Sequence, residues 1–205
     1  MGEHYILEAA LEGVEGIADA FTENEILKDI PVVGIAAKAL KAAGDIRDRA
    51  FAAKITRFVQ ALDEITPEAR EKIRQRIAAN PEEAQQVGET LFLVLEKITA
   101  LDKAKILAYL FVAYTMGRVG PVDFRRMADI IDQAFIDDLE GLLNARQTGH
   151  NTHTEYMKHL TRTGLTFADP TRIPRPPEDH NYKVSRLGRQ FISAYDEAAK
   201  YCRHQ

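Results

Sequence analysis

Apolar residues recur at spacings of three and four along most of this chain, and strand-like alternation is absent over roughly the first 145 residues. That period belongs to helices. Residues 4 to 21 carry Ile6, Leu7, Ala10, Leu11, Val14, Ile17 and Phe21 on one side, predicting an amphipathic first helix. Pro31 opens a second, running to about Leu62. Two prolines then restart the chain. In "ITPEAR" Thr66 is placed to cap a helix whose first residue is Pro67, and "ANPEEA" repeats the device with Asn80 and Pro81.

The helix after Pro67 has a narrow apolar stripe, Ala69, Ile73 and Ile77, and is expected on the surface. The stretches "TLFLVLEKI" and "ILAYLFVAY" are apolar nearly all round and are expected at the centre. Gly117 and Gly120 break the chain before Pro121. Residues 122 to 143 then predict one amphipathic helix, with Phe124, Met127, Ile130, Ile131, Phe135, Leu139 and Leu142 inward. The acidic cluster Asp132, Asp137, Asp138 and Glu140 reads as a solvated face.

The stretch "IPVVGIAAKALKAAG" admits two readings. Lys38, Lys41, Asp45, Asp48 and Arg49 gather in a narrow polar arc on a cylinder of small and apolar residues. A buried bundle helix has this form, and so does a helix lying in a membrane interface. The mixed charge signs favour the bundle. In the membrane reading Val32, Val33, Ile35 and Leu40 would enter the lipid. No window reaches the roughly 18 uncharged apolar residues of a spanning helix.

Composition changes after Asn144. Residues 1 to 144 hold 17 basic and 25 acidic side chains; residues 145 to 205 hold 10 and 6, a net of +4 on a chain whose total is −4. The overall charge argues against a protein coated for nucleic acid and leaves room for a local basic surface. A module boundary is expected there, dividing a helical body (1–147) from a C-terminal module (148–205). The single cysteine, Cys202, cannot form an internal disulfide, which points to a reducing compartment and a cytoplasmic protein. The start has no basic segment before an apolar run, so no secretory signal is expected, and Ile6 stands where a myristoylation signal needs Ser or Thr.

In the tail, "EYMKHLTRTGLTF" and "NYKVSRLGRQFISAY" predict a helix ending at Gly164, the apolar pair Leu165 and Phe167, a proline-rich loop, a strand Tyr182–Val184, and a last helix capped by Ser185. Residues 154 to 200 resemble the end of bacterial winged-helix domains, the matching positions being Gly164, Leu165, Tyr182, Val184, Ser185, Leu187 and Gly188. The family's bracing second helix has no counterpart; "RQTGHNTH" holds its place. The resemblance implies that Lys158, His159 and Arg162 face a major groove or a partner, and that Arg172, Arg175, Lys183 and Arg186 meet phosphates. Such modules also dock proteins. The expected fold is therefore all-α: an orthogonal bundle of about six helices, then a small helix–β-hairpin–helix module.

Other chemistry is sparse. His150 and His153 are spaced to share a metal on a helix, though Thr152 and Thr154 make that segment a capping loop as readily. Arg146 and His153 loosely resemble the Arg-x(4–6)-His pair of a family of all-helical ribonucleases. No phosphate loop, nucleophile elbow or cofactor motif is present, so no cofactor is expected. The leading expectation is a non-enzymatic regulatory or protein-interaction protein, with homo-oligomer formation open. Behind it stand a DNA-binding regulator, a membrane-perturbing effector and a ribonuclease.

Overall fold

The structure, a computed structural model, describes residues 46–145, 155–169 and 181–202. Six helices fill the first segment: α1 (Ile46–Asp63), α2 (Pro67–Ala79), α3 (Pro81–Lys97), α4 (Leu101–Thr115), α5 (Pro121–Gln133) and α6 (Ile136–Asn144). A short helix α7 (Glu155–His159) continues as a 3₁₀ turn (Leu160–Thr163). Strand β1 (Thr166–Ala168) pairs antiparallel with β2 (Tyr182–Val184), Phe167 opposite Lys183, and α8 (Arg186–Ala199) follows. The described chain is mostly helical with one two-stranded sheet. The residues expected to form the first helix lie outside it, as do Val32, Val33, Ile35 and Leu40.

Helix α4 is the axis. Every residue from Lys103 to Thr115 except Lys105 is buried, because α1, α2, α5 and α8 all pack on it. Fully burying one such Leu or Phe contributes about 1.5–3 kcal/mol. Phe111 meets Phe58 of α1 at 6.1 Å between ring centroids, and Tyr109 meets Tyr195 of α8 at 4.8 Å. The buried Thr115 hydroxyl is satisfied by the Phe111 and Val112 carbonyls at 3.0 and 2.9 Å. Met157, Leu165, Phe191 and Cys202 of the C-terminal segment belong to the same apolar cluster as Phe58 and Leu107.

The proline restarts differ in detail. Thr66 accepts a hydrogen bond from the Ala69 amide at 3.4 Å, as an N-cap should. Asn80 stands at the N-cap position of α3, but its side chain makes no capping bond; its own amide closes α2 on the Ile77 carbonyl. Helix α2 buries Ala69, Ile73 and Ile77 and no more. A side-chain cluster fastens α2, α3 and α4 together: the Tyr114 hydroxyl donates to Glu83, and Arg76 lies 3.4 Å from Glu83 and 5.8 Å above the Tyr114 ring.

Two expectations about the core are corrected. "TLFLVLEKI" is not buried all round: Leu93 is 51% exposed, and Phe92 sits at the rim against Phe51. Only one side of α3 meets its neighbours. Residues 122 to 143 form two helices, not one. Ala134 and Phe135 are extended (ψ 151° and 139°), and Phe135 is 61% exposed instead of inward. The break has a partner far away in sequence. The Lys103 ammonium, on a residue 4% exposed, donates to the Asp132 carbonyl at 2.9 Å. That carbonyl would otherwise take the amide of the next turn. Burial pulls the Lys103 amine below its ordinary range, and Asp132 opposes the shift.

The tail hairpin is tied by short-range rules. Gly164 ends the 3₁₀ turn in the left-handed region (φ 78°), where a Cβ would be strained. Ser185 accepts from the Gly188 amide at 2.9 Å and donates to the Gly164 carbonyl at 2.6 Å, joining α8 to the turn. The buried Thr166 hydroxyl donates to the Met157 carbonyl at 2.6 Å. At the far end the Thr66 amide donates to the Tyr201 carbonyl at 2.8 Å, and Ile65 bridges Cys202. No helix among the described residues is long and apolar enough to cross a membrane.

Candidate functional site

A cleft of about 480 Å³ opens where the outer face of α8 passes the α4–α5 turn. Each wall has a local cause. Helix α4 ends in a Schellman motif: Gly117 is left-handed (φ 72°), its amide bonds Tyr114, and the Arg118 amide bonds Ala113, both at 2.9 Å. That turn delivers Arg118 to the rim. Gly120 has no side chain to cap α5, whose first turn forms the adjoining wall. From α8, Arg186, Arg189, Gln190, Ser193 and Glu197 fall on one side at spacings of three and four. Beneath them Val119, Met127 and Ala194 make a buried apolar floor.

The charges are arranged. Arg118 Nε lies 3.6 Å from Glu197, and the Tyr201 hydroxyl, ahead of Glu197, holds the guanidinium protonated beyond its ordinary range. Lys200 first, and Arg118 after it, hold the Glu197 carboxyl below the usual carboxylate range, against partial desolvation. Arg189 Nη1 donates to the Val184 carbonyl at 2.8 Å, which orients the guanidinium and uses one of its five N–H donors. Asp123 is held by Arg126 at 3.4 Å. Arg186 is exposed, with no carboxylate in ion-pair range among the described residues.

Of the basic residues singled out in the tail, Arg186 alone among the described ones lines this cleft. Lys158 pairs with Glu155 at 3.7 Å on its own helix. His159 is held on both sides, Nδ1 by Asp138 at 3.2 Å and Nε2 by Glu155 at 3.5 Å. Arg162 is exposed on the 3₁₀ turn, and Lys183 is bound to Asp169 at 2.7 Å. Arg172, Arg175, Arg146, His150 and His153 lie outside the described residues. Asp138 corrects the reading of its cluster as a solvated face: it is buried in the first turn of α6 and joins that helix to α7 through His159.

Compared with known proteins, the chain matches no family model, no curated protein and no solved structure. Its chemistry must be read from its own residues.

Cys202 and Tyr109 form a further titratable cluster. The buried thiol is pushed up by desolvation, and the Tyr109 hydroxyl donates to Glu64 at 3.4 Å beneath Lys105, which lies 5.7 Å from its ring. A thiol held protonated in this way is a poor nucleophile. No group of three metal-ligating side chains occurs among the described residues.

Arg189, Ser193, Glu197 and Arg118 are not among the residues the sequence singled out. The spacing of four along α8 carries a signal for the first three; nothing in "MGRVGP" says which helix that turn will face.

Proposed function

We propose that this chain is a non-enzymatic regulatory or protein-interaction protein, with α1–α6 as scaffold and the cleft beside α8 as its contact surface. The gathering of Arg118, Arg186 and Arg189 over an apolar floor carries this reading. Arginine beside apolar contact area is the composition of interface centres. Among the described residues the lining supplies charged and polar recognition groups, and Glu197, one turn from Ser193, is itself held by Arg118 and Lys200.

The test places a photo-crosslinking residue at Ser193 and, as control, at Glu89 of α3, in cells that make the protein. The expected result is one discrete protein adduct from position 193 that Arg189→Glu diminishes. Failure to trap any protein at 193 in the folded chain would overturn the reading.

A second reading is supported by the helix–hairpin–helix order about Gly164 and Ser185, which fits a winged-helix-like DNA-binding tail. Three observations weigh against it. Helix α7 has 5 residues before it tightens into the 3₁₀ turn. Lys158, His159 and Lys183 already face carboxylates. The tail's apolar residues are continuous with the bundle core. Duplex DNA titrated at two salt concentrations decides: a regulator shows tight binding that weakens steeply with salt and with Lys158→Glu. The expected outcome is weak binding indifferent to that substitution.

A further inference from the structure

The α8 cleft is basic on an acidic protein. Its lining carries Arg118, Arg186 and Arg189 against Asp123 and Glu197, a net of +1, and Arg126 and Lys200 just outside it also pair with those two carboxylates. The whole chain carries −4. Both carboxylates are matched, so the excess falls on Arg186 and Arg189, one helical turn apart on the same side of α8. The open amino end of α5 adds to the same field. The guanidiniums carry the recognition, because paired forks suit a carboxylate in two-point contact.

Charge alone would suit any small anion. Shape and floor narrow the choice. About 480 Å³ is far more room than one oxyanion fills and lies among ligand clefts of about 300–1,000 Å³. Of the floor residues Val119 keeps a little accessible apolar surface, at 7% exposed, while Met127 and Ala194 lie closed over beneath it at 1% and 3%. Asp123, Glu197, Gln190 and Ser193 offer acceptors to backbone amides. An occupant with carboxylates, an apolar side chain and amide donors is a peptide.

Resting on the interaction reading above, we infer that the cleft takes an extended acidic segment of a partner protein. One Asp or Glu carboxylate seats between Arg186 and Arg189, and a neighbouring aliphatic side chain lies over Val119. Arg118, braced by Glu197, closes the far end.

The experiment is fluorescence anisotropy of the full chain with a labelled peptide of alternating Asp, Glu and Leu. Its comparators are the Asn/Gln version, a version with Ser for Leu, and inorganic phosphate as competitor. The acidic peptide is expected to bind at least about tenfold more tightly than either altered peptide, with affinity falling as salt rises. Arg186→Glu with Arg189→Glu abolishes it. Lys72→Glu, an exposed position on α2, leaves it within about twofold.

One further variant separates binding from folding. At Gly120 a Cβ would meet nothing within 4 Å, and its φ of −77° and ψ of 163° suit a capping side chain. Gly120→Asp therefore keeps the melting temperature or raises it, while its carboxylate occupies the site and lowers peptide affinity at least about tenfold. Equal binding of the Asn/Gln peptide, or equal loss with Lys72→Glu, refutes a carboxylate site. Equal binding of the Ser version with full displacement by phosphate makes the ligand a simple anion and refutes the peptide. If the peptide fails while Ser193 still captures a protein, the acidic occupant falls and the interaction reading stands; if both fail, both fall.

Discussion

Gly188 has no room for a methyl group. A Cβ there would stand 2.1 Å from the Leu165 carbonyl oxygen and 2.7 Å from Val184 Cγ1, because the first turn of α8 lies directly on the hairpin. In an exposed helix interior Gly→Ala gains about 1 kcal/mol. Here the sign reverses: Gly188→Ala is expected to cost about 1–3 kcal/mol, the usual range for overpacking. Chemical denaturation checks it, and a variant as stable as the parent would disprove the close approach. Phe135 makes the opposite case. It occupies the N-cap position of α6 in extended conformation, exposed, with no capping bond. Phe135→Ser is expected to raise stability by about 0.5–1 kcal/mol, since a hydroxyl can accept from the open amides of α6. Had this phenyl ring been part of the core, the same change would cost several kcal/mol.

At the scale of elements, legibility follows the reach of the interaction that decides each feature. Gly164, the strand Tyr182–Val184 and the Ser185 cap obey rules spanning a few residues, and each stands where the sequence places it. Thr66 and Pro67 do the same. The break between α5 and α6 does not; the Asp132 carbonyl at its edge is taken by an ammonium on α4, a partner from far along the chain. An unbroken apolar period over 122–143 carries no trace of that lysine. Asp138 and His159 are likewise made partners by packing alone. The cleft is a mixed case: one wall is the readable polar face of α8, and the other arrives on a turn of separate origin.

For the whole molecule, the phenols of α4 make an alkaline limit. Burial first, and then the hydrogen bonds with Cys202 at Tyr109 and Glu83 at Tyr114, hold both hydroxyls protonated above their ordinary value of 10.0. The unfolded chain gives up these protons first. Their contribution is therefore whole below pH 10 and drains away as pH climbs from there toward the folded-state values. The raised Cys202 thiol, ordinarily at 9.0, drains in the same direction from a lower pH, so the urea midpoint should start to fall at about pH 8, and Tyr109→Phe with Tyr114→Phe should make the decline above about pH 10 shallower. An unchanged slope in the double variant would show that other groups set the limit.

The last described helix covers the central one, and this gives the molecule a direction in time. A ribosome makes α4 well before α8, and Tyr195 reaches Tyr109 only after nearly every other described element has emerged. Until then the nascent chain displays a wet apolar strip along its own axis. A message that stopped short of α8 would yield not a smaller version of this fold but a sticky client for chaperones and proteases.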